Sequence, residues 1–211
     1  MKEITINQLP EPTWNWLHVN DRQIRLPEDR KAAEVLMGTL PEGIIESDKS
    51  RSLATSGSDE LDAYVKNSAV NTAVYTVADG VKVPEPLRLR YDYTMQEEGT
   101  AVSRSEINLG VNSELTLICI LTGREGFGIS DLQIYAEEGA KLTLVRVYMT
   151  KERQHLISNV NAAFKEDAGM ILMEVITGSS DLLLECHADL DGARSYLETD
   201  TGYYVEKDGI L

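Results

Sequence analysis

The chain has 211 residues, of which 42% are hydrophobic and 26% charged, and it carries a formal net charge of -15. This is ordinary soluble globular material, long enough for one sizeable domain or a domain with a small appendage. The acidity argues against a general binder of nucleic-acid backbones, which needs a basic patch to displace counterions, and against docking on anionic membrane.

The opening "MKEITINQLPEP" lacks the apolar run of a signal peptide, and no stretch approaches the roughly 18 apolar residues of a membrane span. A cytoplasmic protein is the expectation. "PTWNWLHVN" (12–20) then holds the only two tryptophans, Trp14 and Trp16. They have two readings. Intramolecular packing is favoured, because two indoles cover much apolar surface at small entropic cost. The other reading is an anchor for a partner, since Trp is enriched at interface hot spots.

Residues 1–70 contain four of the six prolines, Pro10, Pro12, Pro27 and Pro41, and the loop-like "SDKSRSLATSGSDE" at 47–60. Only short helices fit here. "EDRKAAEVLMGT" (28–39) has Glu28 and Asp29 where the helix dipole favours negative charge, and Ala32, Val35 and Leu36 as an apolar stripe. "DELDAYVKN" (59–67) follows Ser58, a good N-cap. This region, small and partly helical or irregular, is expected to pack on something larger.

From about 71 to 211 the texture changes to short runs rich in Val, Ile, Leu, Tyr and Thr, separated by acidic or glycine turns. No convincing helix interrupts them, which excludes the doubly wound α/β folds. The runs repeat: "SELTLICIL" (113–121), "AKLTLVRVY" (140–148) and "AGMILMEVI" (168–176) align Leu117, Leu144 and Leu172 at steps of 27 and 28. Cys119, Arg146 and Glu174 then fall in one column. Repetition at this period means stacked units that bury their apolar faces against each other. Hairpin sandwiches also give short strands with frequent turns, but matched columns favour the coils of a β-helix.

Catalytic motifs are scarce. His18, His155 and His187 are far apart, and "GREGFGIS" (123–130) lacks the Lys-Ser/Thr of a phosphate loop. Cys186 and His187 are the weak candidates for a metal site, since thiolate and imidazole are both metal ligands. Neighbours on a strand point to opposite faces, so the favoured reading is a buried Cys beside a surface His. Cys119, in a wholly apolar run, reads as packing. The pairs Glu97/Glu98, Glu137/Glu138, Glu166/Asp167 and Asp189/Asp191 could serve a carbohydrate-active lyase or hydrolase, but turns attract charge anyway. No catalytic residue is assigned.

The order and spacing of several segments resemble the SufB/SufD family of iron–sulfur cluster assembly proteins, closest to short SufD-like members. The segments are the opening "PTWNWLHVN", "VYTVADGVKVPEPLRLRY" (74–91), "IYAEEGAKLTLVRVY" (134–148) and "ADLDGARSYLETDTGYYVEKDGIL" (188–211). The resemblance implies a right-handed parallel β-helix and a non-catalytic scaffold. It implies pairing with a SufB-like protein and a SufC-like ATPase, and an iron–sulfur cluster met only in the assembled complex. No cofactor is expected on this chain alone. The family's helical domain that docks the ATPase does not follow "KDGIL", so the β-helix is expected to be incomplete at its C-terminal end. The context of the family's functional His or Cys is also missing, so Cys186 and His187 inherit no role. An open terminal coil invites strand addition, which makes a homodimer through the C-terminal coils the expectation for the isolated chain.

Overall fold

The computed structural model describes residues 1–6, 22–47, 50–51, 58–68, 70–95 and 98–205. The N-terminal part runs through β1 (Lys2–Ile6), β2 (Arg22–Leu26), β3 (Arg30–Ala32), β4 (Glu34–Met37), β5 (Ile44–Ser47) and the helix α1 (Asp59–Lys66). The rest is strand: β6 (Ala73–Val77), β7 (Leu87–Asp92), β8 (Thr100–Leu109), β9 (Glu114–Ala136), β10 (Lys141–Phe164), β11 (Gly169–Gly178), β12 (Asp181–Asp189) and β13 (Tyr196–Val205).

The chain forms a parallel β-helix whose coils have two long sides. On the first side β7, the first half of β9, the first half of β10, β11 and β13 lie in parallel register. On the second side the order is β6, β8, then the second halves of β9 and β10, then β12. The two halves of β10 are separated by a register break between Thr150 and Arg153, which marks the corner. Leu117 pairs with Leu144 and Leu144 with Leu172, so the columns expected from the 27- and 28-residue steps are real neighbours. All three leucines are buried. Each contributes about 1.5–3 kcal/mol by leaving water, but only because the next coil covers it.

The coils close through a repeated turn. Gly80, Asn112, Gly139, Asp167 and Arg194 each have positive φ, between 54° and 70°. Within this stack Asn112 N–H donates to Glu138 O, Gly139 N–H to Glu166 O and Asp167 N–H to Ala193 O. Non-glycine residues hold the same conformation in three of the five turns, so Gly139→Ala should cost only about 1 kcal/mol. Gly178 differs. Its φ is 139°, and an added Cβ would lie 2.1 Å from the backbone oxygen of Thr150. Gly178→Ala should therefore cost about 3 kcal/mol or more. Urea midpoints of the two variants would check this contrast.

The helix expected at 28–39 is not formed. Arg30–Ala32 pairs in parallel with Thr100–Val102, and Glu34–Met37 pairs antiparallel with Leu89–Asp92. Val35 and Leu36 are 44% and 53% exposed, so the supposed apolar stripe has nothing to pack on. A strand edge supplied by the stack outweighs a weak helical propensity. The second helix forms as expected: Ser58 Oγ accepts from Leu61 N–H at 3.1 Å, with Asp59, Glu60 and Asp62 in the first turn and Lys66 in the last. Leu61, Tyr64 and Val65 of α1 join Ile4, Ile6 and Leu26 over Val102, Ile129 and Ile157 on the outer face of the second side. Trp14, Trp16 and His18 lie outside the described residues.

Candidate functional site: a polar seam inside the stack

Alternation puts Cys119, Arg146 and Glu174 on the inward face of the first side, one above another. Ser103, Ser130 and Ser158 form the matching inward column on the second side. Tyrosines bridge the two. Tyr93 OH and Ser103 Oγ are 2.6 Å apart, and Tyr91 OH and Ser105 Oγ 2.9 Å. Tyr148 OH lies 2.9 Å from Ser158 Oγ and donates to Glu174 Oε1 at 2.8 Å.

Arg146 is the centre of this seam. It is 1% exposed and heads the fully buried side chains by volume. Nη2 donates to Ser130 Oγ at 2.8 Å, and the guanidinium carbon sits 5.4 Å from the Tyr148 ring centroid. Nε and Nη1 have no hydrogen-bond partner among the described residues. Burial works against its charge, but Tyr148, Cys119, Tyr93 and Glu174 outweigh that and raise its pKa. The stack thus holds a permanent cation in its interior, and its two remaining donor nitrogens can meet an anion or a polar group.

The thiols beside it are held protonated. Burial pushes Cys119 up to about 11, against a smaller lowering by Arg146. Cys186 is also pushed up to about 11, by the protein around its sulfur and by Glu174, with Arg146 again opposing. By accessible surface Cys186 is exposed, which corrects the expectation that it is buried. Its column, Leu132–Val160–Cys186, points inward, but among the described residues no strand covers it beyond β12. His187, the next residue, continues the outward column Gln133–Asn161–His187. The two side chains face opposite sides of the strand and do not converge on one point. Among the described residues no three His, Cys, Asp or Glu side chains gather into a metal-ligating group. Neutral thiols are poor nucleophiles and poor ligands, so as it stands the seam can position charge and hydrogen bonds rather than attack a substrate.

The buried thiol and phenols make a pH prediction. Cys119 is raised from 9.0 to about 11, and burial lifts Tyr75 and Tyr93 from 10.0 to about 12. A raised pKa of this kind favours the neutral form in the folded state. The stability it brings is full below the unfolded values and is lost as pH climbs through the folded ones. Urea midpoints should hold steady to about pH 9 and fall between about pH 9 and 12, and Cys119→Ala should lessen the fall that begins near pH 9 without abolishing it, because Cys186 is raised over the same range. A midpoint already falling at pH 8 would contradict this.

The remaining sequence candidates are scattered. His155 Nδ1 lies 2.9 Å from Asp181 Oδ2 and its ring stacks on Phe127 at 4.8 Å, on the outer face. Glu166 and Asp167 are bound by Arg194 of the next turn, at 2.8 Å and 2.5 Å. Glu137 pairs with Arg51 at 3.2 Å. Glu98, Glu138, Asp189 and Asp191 also sit apart from the seam, and Glu97 lies outside the described residues. Glu166 and Asp167 thus bridge successive coils through Arg194. Sequence reasoning placed Cys119, Arg146 and Glu174 in one column but gave Arg146 no role. The signal was a charged residue at an inward position of an otherwise apolar alternation. The serines were also there to find, since Ser130 and Ser158 are separated by one coil.

Residues 93–211 match the family model described as "SUF system FeS cluster assembly, SufBD core domain". No match is found among the curated proteins.

Proposed function

The chain belongs to the SufB/SufD family of the SUF system for iron–sulfur cluster assembly, and on that premise we propose that it is a non-catalytic scaffold subunit of that assembly. It works in the cytoplasm, where it pairs with a SufB-like protein and a SufC-type ATPase. The observation that carries the reading is the match itself, which covers the coils from Tyr93 onward. The chemistry of the seam supports it. Arg146 is charged but enclosed, and both thiols are neutral at physiological pH. A subunit of that kind needs partners to do chemistry. Any iron–sulfur cluster is cargo of the assembled complex and draws ligands from more than one chain. Cys186, at the uncovered rim of the described coils, would ionise at neutral pH only if a partner brought positive charge beside it.

The test is to tag the protein at its own locus and purify it gently without air. Co-purification of a SufB-like protein and a SufC-like ATPase supports the scaffold reading. Recovery of the bait alone, or with enzymes of sugar metabolism, overturns it.

A further inference from the structure

The outer face of the second side carries a pocket that neither the seam nor the scaffold reading uses. The β1–β2 hairpin lies over this face, with Ile4, Ile6 and Leu26 packed on Val102, Ile129 and Ile157. Toward β8 the cover is completed by α1, whose Tyr64 OH lies 2.8 Å from Thr100 Oγ1. Toward β12 no described helix does the same, and Ile24 and Leu183 are only partly buried there. The hairpin thus overhangs the sheet and leaves a pocket of about 80 Å³. Ile24, Leu26, Phe127 and Leu183 are among its walls, and Arg22 and His155 among its polar groups. A small apolar pocket with a few converging polar groups is the usual build of a ligand site.

We propose that this pocket binds a small-molecule carboxylate whose apolar body is the size of one six-membered ring. Size selects the body. At about 10–15 Å³ for each non-hydrogen atom, the space holds roughly five to eight of them. Charge selects the head. Arg22 is exposed, and its guanidinium makes no hydrogen bond or ion pair with the described residues. Asp181 also borders the pocket and opposes an anion. Its Oδ2, however, is taken by His155 Nδ1 at 2.9 Å, and stacking of the imidazole on Phe127 at 4.8 Å holds that pair in place. The cation left to meet a ligand is therefore Arg22. Its planar fork suits a carboxylate, which can accept two parallel N–H bonds. A cationic head would instead be set against it. This inference goes beyond the scaffold reading and does not depend on it.

The experiment titrates phenylacetate and its neutral isostere phenylacetamide into the purified full chain, read by ligand-observed NMR, with melting curves recorded alongside. Phenylacetate offers a ring to the walls and a carboxylate to Arg22. Its expected dissociation constant is on the order of 0.1–1 mM. Phenylacetamide should bind about threefold to fivefold more weakly, since an ion pair at the surface adds little more than that. Arg22→Gln should erase the preference and leave phenylacetamide unchanged. Leu183→Phe, which fills the pocket from β12, should weaken both ligands about tenfold or more. Unchanged melting is the control for folding, and Arg22→Gln, at an exposed position, carries the test alone if Leu183→Phe does not fold. The proposal is overturned if neither ligand binds saturably by about 10 mM. It is also overturned if the two bind equally, if the preference survives Arg22→Gln, or if a folded Leu183→Phe binds as the wild type does. Binding that emerges only in Trp14→Ala or Trp16→Ala overturns it too, because the occupant is then an indole of the chain itself. None of these outcomes touches the co-purification test, so the scaffold reading stands or falls separately.

Discussion

Arg146→Ala is expected to destabilise the stack by about 3–5 kcal/mol, whereas Arg146→Met should leave it within about 1–2 kcal/mol of the wild type. The first substitution removes the largest fully buried side chain and leaves a void that two opposed parallel ladders cannot collapse to fill. It also strips Ser130 Oγ of its donor and bares the face of the Tyr148 ring. The second fills most of the volume without the charge. A buried guanidinium with two nitrogens that lack partners among the described residues is a poor stabiliser, because its desolvation cost offsets most of what its contacts return. Glu174 keeps its bond from Tyr148 in both variants. Urea denaturation reads the difference. If Met costs as much as Ala, the charge itself holds the coils together. If Met is tolerated, the cation persists for a reason other than folding, and the Met variant is then the clean reagent for testing cluster assembly in cells.

The columns of the stack were legible because a parallel ladder repeats its chemistry at the coil period. Leu117, Leu144 and Leu172 recur in the sequence at the distance that makes them neighbours in space. The seam was half legible for the same reason. Period shows which residues lie above one another on one side, but not which residues of the opposite side they meet. Nothing in the spacing of Tyr148 and Ser158 says that their hydroxyls touch across the interior. β3 and β4 were not legible at all, because their strand character is borrowed from β8 and β7. Cys186 was placed on the correct face, but its exposure depends on whether another coil covers it, which no local pattern encodes.

Leu61→Ala is the second large effect, with an expected cost of about 2–4 kcal/mol. Leu61 is fully buried. It sits where α1 and the β1–β2 hairpin meet the outer face of the second side, over Val102, Ile129 and Ile157. Polar contacts add to the attachment. Tyr64 OH lies 2.5 Å from Pro27 O and 2.8 Å from Thr100 Oγ1, and Arg30 Nη1 donates to Tyr64 O at 2.8 Å. The stack behind it is held by its own ladders, and coils that contact mainly their neighbours need not unfold together. The loss should therefore be local. Hydrogen exchange in the Leu61→Ala variant should rise about 30-fold or more across β1, β2 and α1 while β9, β10 and β11 keep their protection. Tyr64→Phe, which removes one hydroxyl and keeps the ring, should give the same pattern at about 1 kcal/mol. A uniform rise across β9 to β11 in either variant would show that the N-terminal elements are part of the folding unit of the β-helix itself, and that the stack needs this cover to stand.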